Sequence, residues 1–114
     1  MEEKMKKLEE KIGKIPKIFE DLKEIDPEMY KSVMGLDQWI WAEGKLSKQT
    51  KKLIAIGIAA ALRDRHAVRA QMAGASHLGI TMDEIDEALR VTFLLAGMPA
   101  YVYGKAAAEE LVKK

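Results

Sequence analysis

Asp64, Ala67 and Gln71 stand at spacings i, i+3 and i+7, so a helix starting near Asp64 puts all three on one face, with His66 beside them. A carboxylate, an imidazole and a carboxamide gathered in this way can do acid-base work. Asp64 would be the base or fixed anion, His66 the group that titrates near neutral pH, and Gln71 a hydrogen-bonding arm. The same residues have a plainer reading, in which Asp64 caps the helix and His66 is a surface side chain. The strong preference of Asp for the N-cap position favours it.

A second chemistry is offered by Arg63, Arg65 and Arg69 together with Lys52. Guanidinium forks match the oxygens of a small carboxylate or phosphate, so these residues can form a basic pocket for an organic acid. The alternative is a solvated charged face answered by acidic residues of another subunit, and it is the more ordinary arrangement. His66 and His77 are the two histidines; their separation, without cysteine and without HExxH-type spacing, predicts no metal site. His77, close to a helix C-terminus, reads as structural. No cofactor is expected.

The elements that position these residues follow from periodicity and caps. Met1, Met5, Leu8 and Ile12 make an apolar stripe on a short first helix that Gly13 can end. Pro16 suits the first turn of a second helix carrying Ile15, Ile18, Phe19 and Leu22. Asp26-Pro27-Glu28 opens a third, expected to run to about Glu43 with Gly44 in a left-handed cap and a core stripe of Tyr30, Val33, Leu36 and Ile40. Trp39 and Trp41 point in well-separated directions, which predicts that one of them packs on another subunit.

Ser47 caps the next helix, whose run from Leu53 to Leu62 leaves hardly any polar face and is expected to be buried on all sides, more easily with a neighbouring subunit covering part of it. At about half the ~20 residues that a membrane-spanning helix requires, it reads as a core helix. Asp64 then caps a helix to about Leu78, ahead of Gly79. Thr81 and Glu84 form a capping box for a helix through Leu95, and Gly97-Met98-Pro99 separates it from a last helix ending near Leu111.

The pattern is that of an all-α, single-domain helical bundle over residues 1–114, with a lead-in at 1–43 and a core region at 44–114. Apolar residues make up 48% and charged residues 32%, a balance that suits a packed helical protein. A net charge of +1, from 19 basic and 18 acidic residues, gives no global field for nucleic acid or an anionic membrane. The absence of cysteine excludes disulfides, thiolate nucleophiles and thiol redox cycles. The first 14 residues mix Glu and Lys without an apolar h-region, and a cytoplasmic location is expected.

Several signals in fixed order carry a family resemblance: Gly44-Lys45-Leu46-Ser47, Thr50 to Ala55, Leu78-Gly79-Ile80-Thr81, Glu84 to Leu89, and Ala96 to Ala100. With Ile12 to Pro16 and Ile25 to Glu28 upstream, the chain resembles the carboxymuconolactone decarboxylase family, which includes the alkylhydroperoxidase D-like proteins. The resemblance implies an all-α fold around a central antiparallel helical hairpin, and homotrimers or homohexamers with active sites near subunit contacts.

It also implies positions for the redox branch's site, a Glu, a Cys-x-x-Cys pair and a His. These fall on Lys52, Asp64, Ala67 and Gln71. Thiol peroxidase chemistry is therefore not expected, and an ion pair between Lys52 and Asp64 is one way to fill the site. Three functions remain open. The first is an oligomeric family member that binds a small organic acid through Lys52, Arg69 and Gln71. The second is a lyase or hydrolase on a small carboxylate or lactone, with His66 and Asp64 as the catalytic pair. The third is a diverged or engineered non-catalytic scaffold.

Overall fold

Four short polar side chains decide where the helices begin, because the first amides of a helix have no partner within it. A computed structural model describes residues 17–112, and among them six helices and no strand: α1 (Lys17–Ile25), α2 (Pro27–Trp41), α3 (Lys48–Leu62), α4 (Arg65–His77), α5 (Met82–Ala96) and α6 (Met98–Leu111). Asp26 accepts from the Met29 amide, Ser47 from Thr50, Asp64 from Ala67 and Thr81 from Glu84, whose carboxylate returns a bond to the Thr81 amide. The expected helix over Met1 to Ile12 lies outside the described residues.

Two residues, Arg63 and Asp64, reverse the chain between α3 and α4, with Arg63 in the left-handed region at φ 54°. The result is the antiparallel hairpin that the family resemblance implied. Helices α5 and α6 pack on it, and the shared core takes Ile56 and Ala60 from α3, Val68 and Met72 from α4, Ile85 and Leu89 from α5, and Ala107 and Ala108 from α6. Gly104 lets α6 approach closely. A Cβ there would lie 2.6 Å from Leu89 Cδ2 and 3.1 Å from Ala60 Cβ.

A polar knot ties α5 to α6. The Asp86 carboxylate accepts from the Tyr101 hydroxyl at 2.7 Å and Lys105 Nζ at 3.0 Å through one oxygen, and from Arg90 at 2.9 Å through the other. The Tyr101 hydrogen bond, then that of Lys105, holds the carboxyl down at about 2, against the opposing effect of burial.

Two expectations need correction. Helix α2 ends at Trp41 rather than near Glu43, and Ala42 at its end has extended backbone, so Gly44 takes no left-handed cap. The last carbonyls are met instead by the Lys51 ammonium, which donates to Ile40 O at 2.7 Å and Ala42 O at 2.6 Å. The core stripe of α2 also lies to one side of the expected one: Tyr30 and Met34 are buried, whereas Leu36 and Ile40 are exposed. Helix α1 packs on α2 from one side, so half of its apolar residues face outward. On α3, Ile56, Ala59 and Ala60 face the core, while Ile54, Ile58 and Leu62 are exposed within the single chain, on the part of the helix that was expected to need cover from a neighbouring subunit.

Two outcomes follow for stability. Gly104→Ala forces a methyl against the fully buried Leu89, and should cost about 1–3 kcal/mol in chemical denaturation. The depressed Asp86 value means that its contribution is complete above its ordinary 3.8 and is lost as pH falls through about 2. Urea midpoints should therefore fall between about pH 5 and about pH 2 more steeply in the wild type than in Asp86→Asn, which starts less stable and titrates one group fewer.

Candidate functional site

Lys52 sits one turn into α3, at a position where the helix turns inward, and its side chain is wholly buried. A buried ammonium demands partners, since leaving water is far more costly for a charge than for a methylene chain. Gln71, on the facing side of α4, supplies one: Lys52 Nζ donates to Gln71 Oε1 at 2.9 Å. Trp41, at the end of α2, supplies another, with its ring centroid 4.1 Å from the same nitrogen. The Trp41 indole N–H donates in turn to Asp37 Oδ1 at 3.0 Å, which fixes the ring's orientation. Three helices thus meet on one cation.

Asp64 and His66 lie elsewhere. The Asp64 carboxylate accepts from the Ala67 amide at 3.0 Å as an N-cap, on an exposed helix end. His66 is also exposed, and it lines a pocket of about 240 Å³ with Arg69, Ala70, Ala73 and Leu111. Arg69 is shared with an adjoining pocket of about 230 Å³ that Arg65, Tyr103 and Glu110 also line. Its guanidinium grips Glu110 with both arms, at 2.9 and 3.1 Å. This contact draws the Glu110 carboxyl below its usual range and raises Arg69 further, and the Arg65 charge adds to the effect on Glu110.

The structure therefore divides the five site residues read from the sequence. Lys52 and Gln71 come together in the interior, His66 and Arg69 come together on the outer surface between α4 and α6, and Asp64 is engaged as a cap. Asp37 and Glu110 escaped the sequence reading. Asp37 had a local signal, since it stands four residues before Trp41 on the same helix; Glu110 meets a partner 41 residues away and had none. Among the described residues no group of three or more His, Asp or Glu side chains could hold a metal ion, and no helix is long and apolar enough to cross a membrane.

Comparison with known proteins places this geometry. The model of the carboxymuconolactone decarboxylase family matches residues 27–110, most of the chain and all of the helices that build the site. The chain belongs to the carboxymuconolactone decarboxylase family. Two uncharacterized proteins of Methanocaldococcus jannaschii are relatives, one 40% identical over 79% of this chain and 88% of its own length, the other 30% identical over 67% and 71%.

Two family structures share the fold with a TM-score of 0.80 each. A protein of Burkholderia xenovorans assigned as a carboxymuconolactone decarboxylase is 20% identical over 96% of this chain and 88% of that one. A carboxymuconolactone decarboxylase family protein of Legionella pneumophila is 24% identical over 94% and 98%.

At the positions that the resemblance assigns to the redox branch's Glu and His, this member of the carboxymuconolactone decarboxylase family has a lysine and a glutamine in direct contact. The amide of Gln71 has no proton to exchange near neutral pH, and the Lys52 ammonium is held within the fold. Gln71→Leu removes an acceptor from a buried cation and should lower stability by about 1.5–3 kcal/mol, the range for hydrogen bonds to charged groups, as read by guanidinium denaturation.

Proposed function

We infer that this chain is a self-associating carboxymuconolactone decarboxylase family protein that binds a small organic acid and carries out no thiol peroxidase reaction. The observation that carries the reading is the 2.9 Å contact between Lys52 and Gln71. It joins side chains at the two positions that would serve as the ends of a proton relay, neither of which is suited to that task near neutral pH. Attack on a peroxide also requires a thiolate, and the chain has no cysteine.

The organic acid is assigned to the surface between α4 and α6. There, two guanidiniums, Arg65 and Arg69, stand against one carboxylate, Glu110, and His66 adds a donor that becomes positive on protonation. Glu110 shows that the Arg69 fork accepts a carboxylate with both arms, so a ligand carboxylate can take the same place with Glu110 turned away. Self-association is supported by the apolar face that α3 and α5 leave exposed, with Leu94 at 80% and Leu95 at 81% of their full accessibility.

Two measurements test this. Hydrogen peroxide with a dithiol reductant should be consumed no faster than in buffer, and faster consumption would refute the peroxidase part. Titration with succinate should shift the His66 ring signals in proton NMR, which are easily assigned because the chain has two histidines. Arg69→Gln should weaken the response at least tenfold. Unmoved His66 signals at millimolar succinate would remove the organic-acid reading.

A further inference from the structure

The two pockets that meet at Arg69 differ in character. The one of about 230 Å³ is polar, with Arg65, Tyr103 and Glu110 in its wall. The one of about 240 Å³ carries His66 and is otherwise walled by the methyl groups of Ala70 and Ala73 and the isobutyl group of Leu111. His66, Ala70 and Ala73 stand at i, i+4 and i+7, so they share one face of α4, and the two alanines leave open the space that longer side chains would fill. Both pockets fall below the roughly 300–1,000 Å³ of sites for drug-sized ligands, so the apolar one takes a compact body.

Charge then narrows the class of acid. The side chains that line the two pockets include two guanidiniums and one carboxylate, so with His66 uncharged one positive charge among them is left over. A single carboxylate answers it. A dicarboxylate brings one negative charge too many, and its second carboxylate would have to give up water against the alkyl groups of Ala70, Ala73 and Leu111.

Glu110 has somewhere to go when a ligand takes the Arg69 fork. Arg65 lines the same pocket, and its charge already acts on the Glu110 carboxyl. With Glu110 turned from Arg69 to Arg65, each of the two carboxylates keeps a guanidinium of its own. The Glu110 side chain is 60% exposed and can turn without disturbing the core.

We propose that the ligand of this surface is a compact apolar monocarboxylate, aromatic or branched aliphatic, whose carboxylate takes the Arg69 fork while its body lies on Ala70, Ala73 and Leu111 beside His66, and that Glu110 is the internal carboxylate it displaces. This rests on the organic-acid reading above and names its ligand class. Glu110 is tethered to the bundle and competes for the fork at an effective concentration of roughly millimolar order or higher. An acid without an apolar body therefore holds the fork weakly, and burial of the body supplies the difference.

The His66 ring signals report binding, with benzoate, succinate and acetate as the probes. Benzoate should bind roughly tenfold more tightly than either of the others. Ala73→Gln, which places a polar chain in the apolar pocket at a half-buried position, should remove that preference and leave the succinate response. Glu110→Gln removes the internal competitor and should tighten benzoate binding by roughly fivefold. Glu109→Gln makes the same change of charge at an exposed neighbour outside both pockets and should leave benzoate binding nearly as it was. Succinate binding as tightly as benzoate would overturn the proposal and leave the organic-acid reading standing. Equal effects of the two glutamine variants would overturn the role of Glu110 and the proposal with it. If none of the acids moves the His66 signals, the organic-acid reading itself falls.

Discussion

One buried ammonium organises this molecule. Lys52 is fully buried one turn into α3 and cannot stay there without partners, so the elements around it are constrained to supply them. Gln71 fixes the register of α4 against α3, and Trp41 fixes the end of α2 above both. The neighbouring Lys51 acts from the surface, capping the carbonyls that α2 leaves open. Two consecutive lysines thereby join the lead-in helices to the hairpin, one through a buried contact and one through an exposed one.

The apolar surfaces follow from the same arrangement. With α4, α5 and α6 gathered on one side of α3 and α2 attached beside Lys52, part of α3 is left bare among the described residues, and so is one side of α2. Among the described residues nothing covers the side of α3 that carries Ile54, Ile58 and Leu62. The charged surface between α4 and α6, to which an organic acid is assigned above as a proposal, is separate from both. Its charges are held by Arg69 and Glu110 across the bundle, away from the buried cation.

What could be read in the sequence was local. The caps at Asp26, Ser47, Asp64 and Thr81 were legible because a short side chain bonds an amide two or three residues on. The all-α fold, and the family with its hairpin, likewise rested on ordered local signals. What remained hidden was long-range. Lys52 and Gln71 are 19 residues apart, and Arg69 and Glu110 are 41 apart, so nothing in their neighbourhoods announces the contact. The stripe on α2 was misplaced because Met29, Tyr30, Val33 and Met34 are all apolar. Periodicity alone does not say which of two adjacent stripes the rest of the fold will cover.

Lys52 and Gln71 act as one unit at a position which the family resemblance assigns to chemistry, and on that unit the placement of α2, α3 and α4 depends. A double-variant comparison of Lys52→Met, Gln71→Leu and the two combined, by denaturation at neutral pH, tests it most directly. If the unit is real, the combined variant is more stable than Gln71→Leu alone, because removing the cation also removes the demand for its acceptor. If the two losses simply add, Lys52 and Gln71 are independent, and the buried cation does not organise the fold.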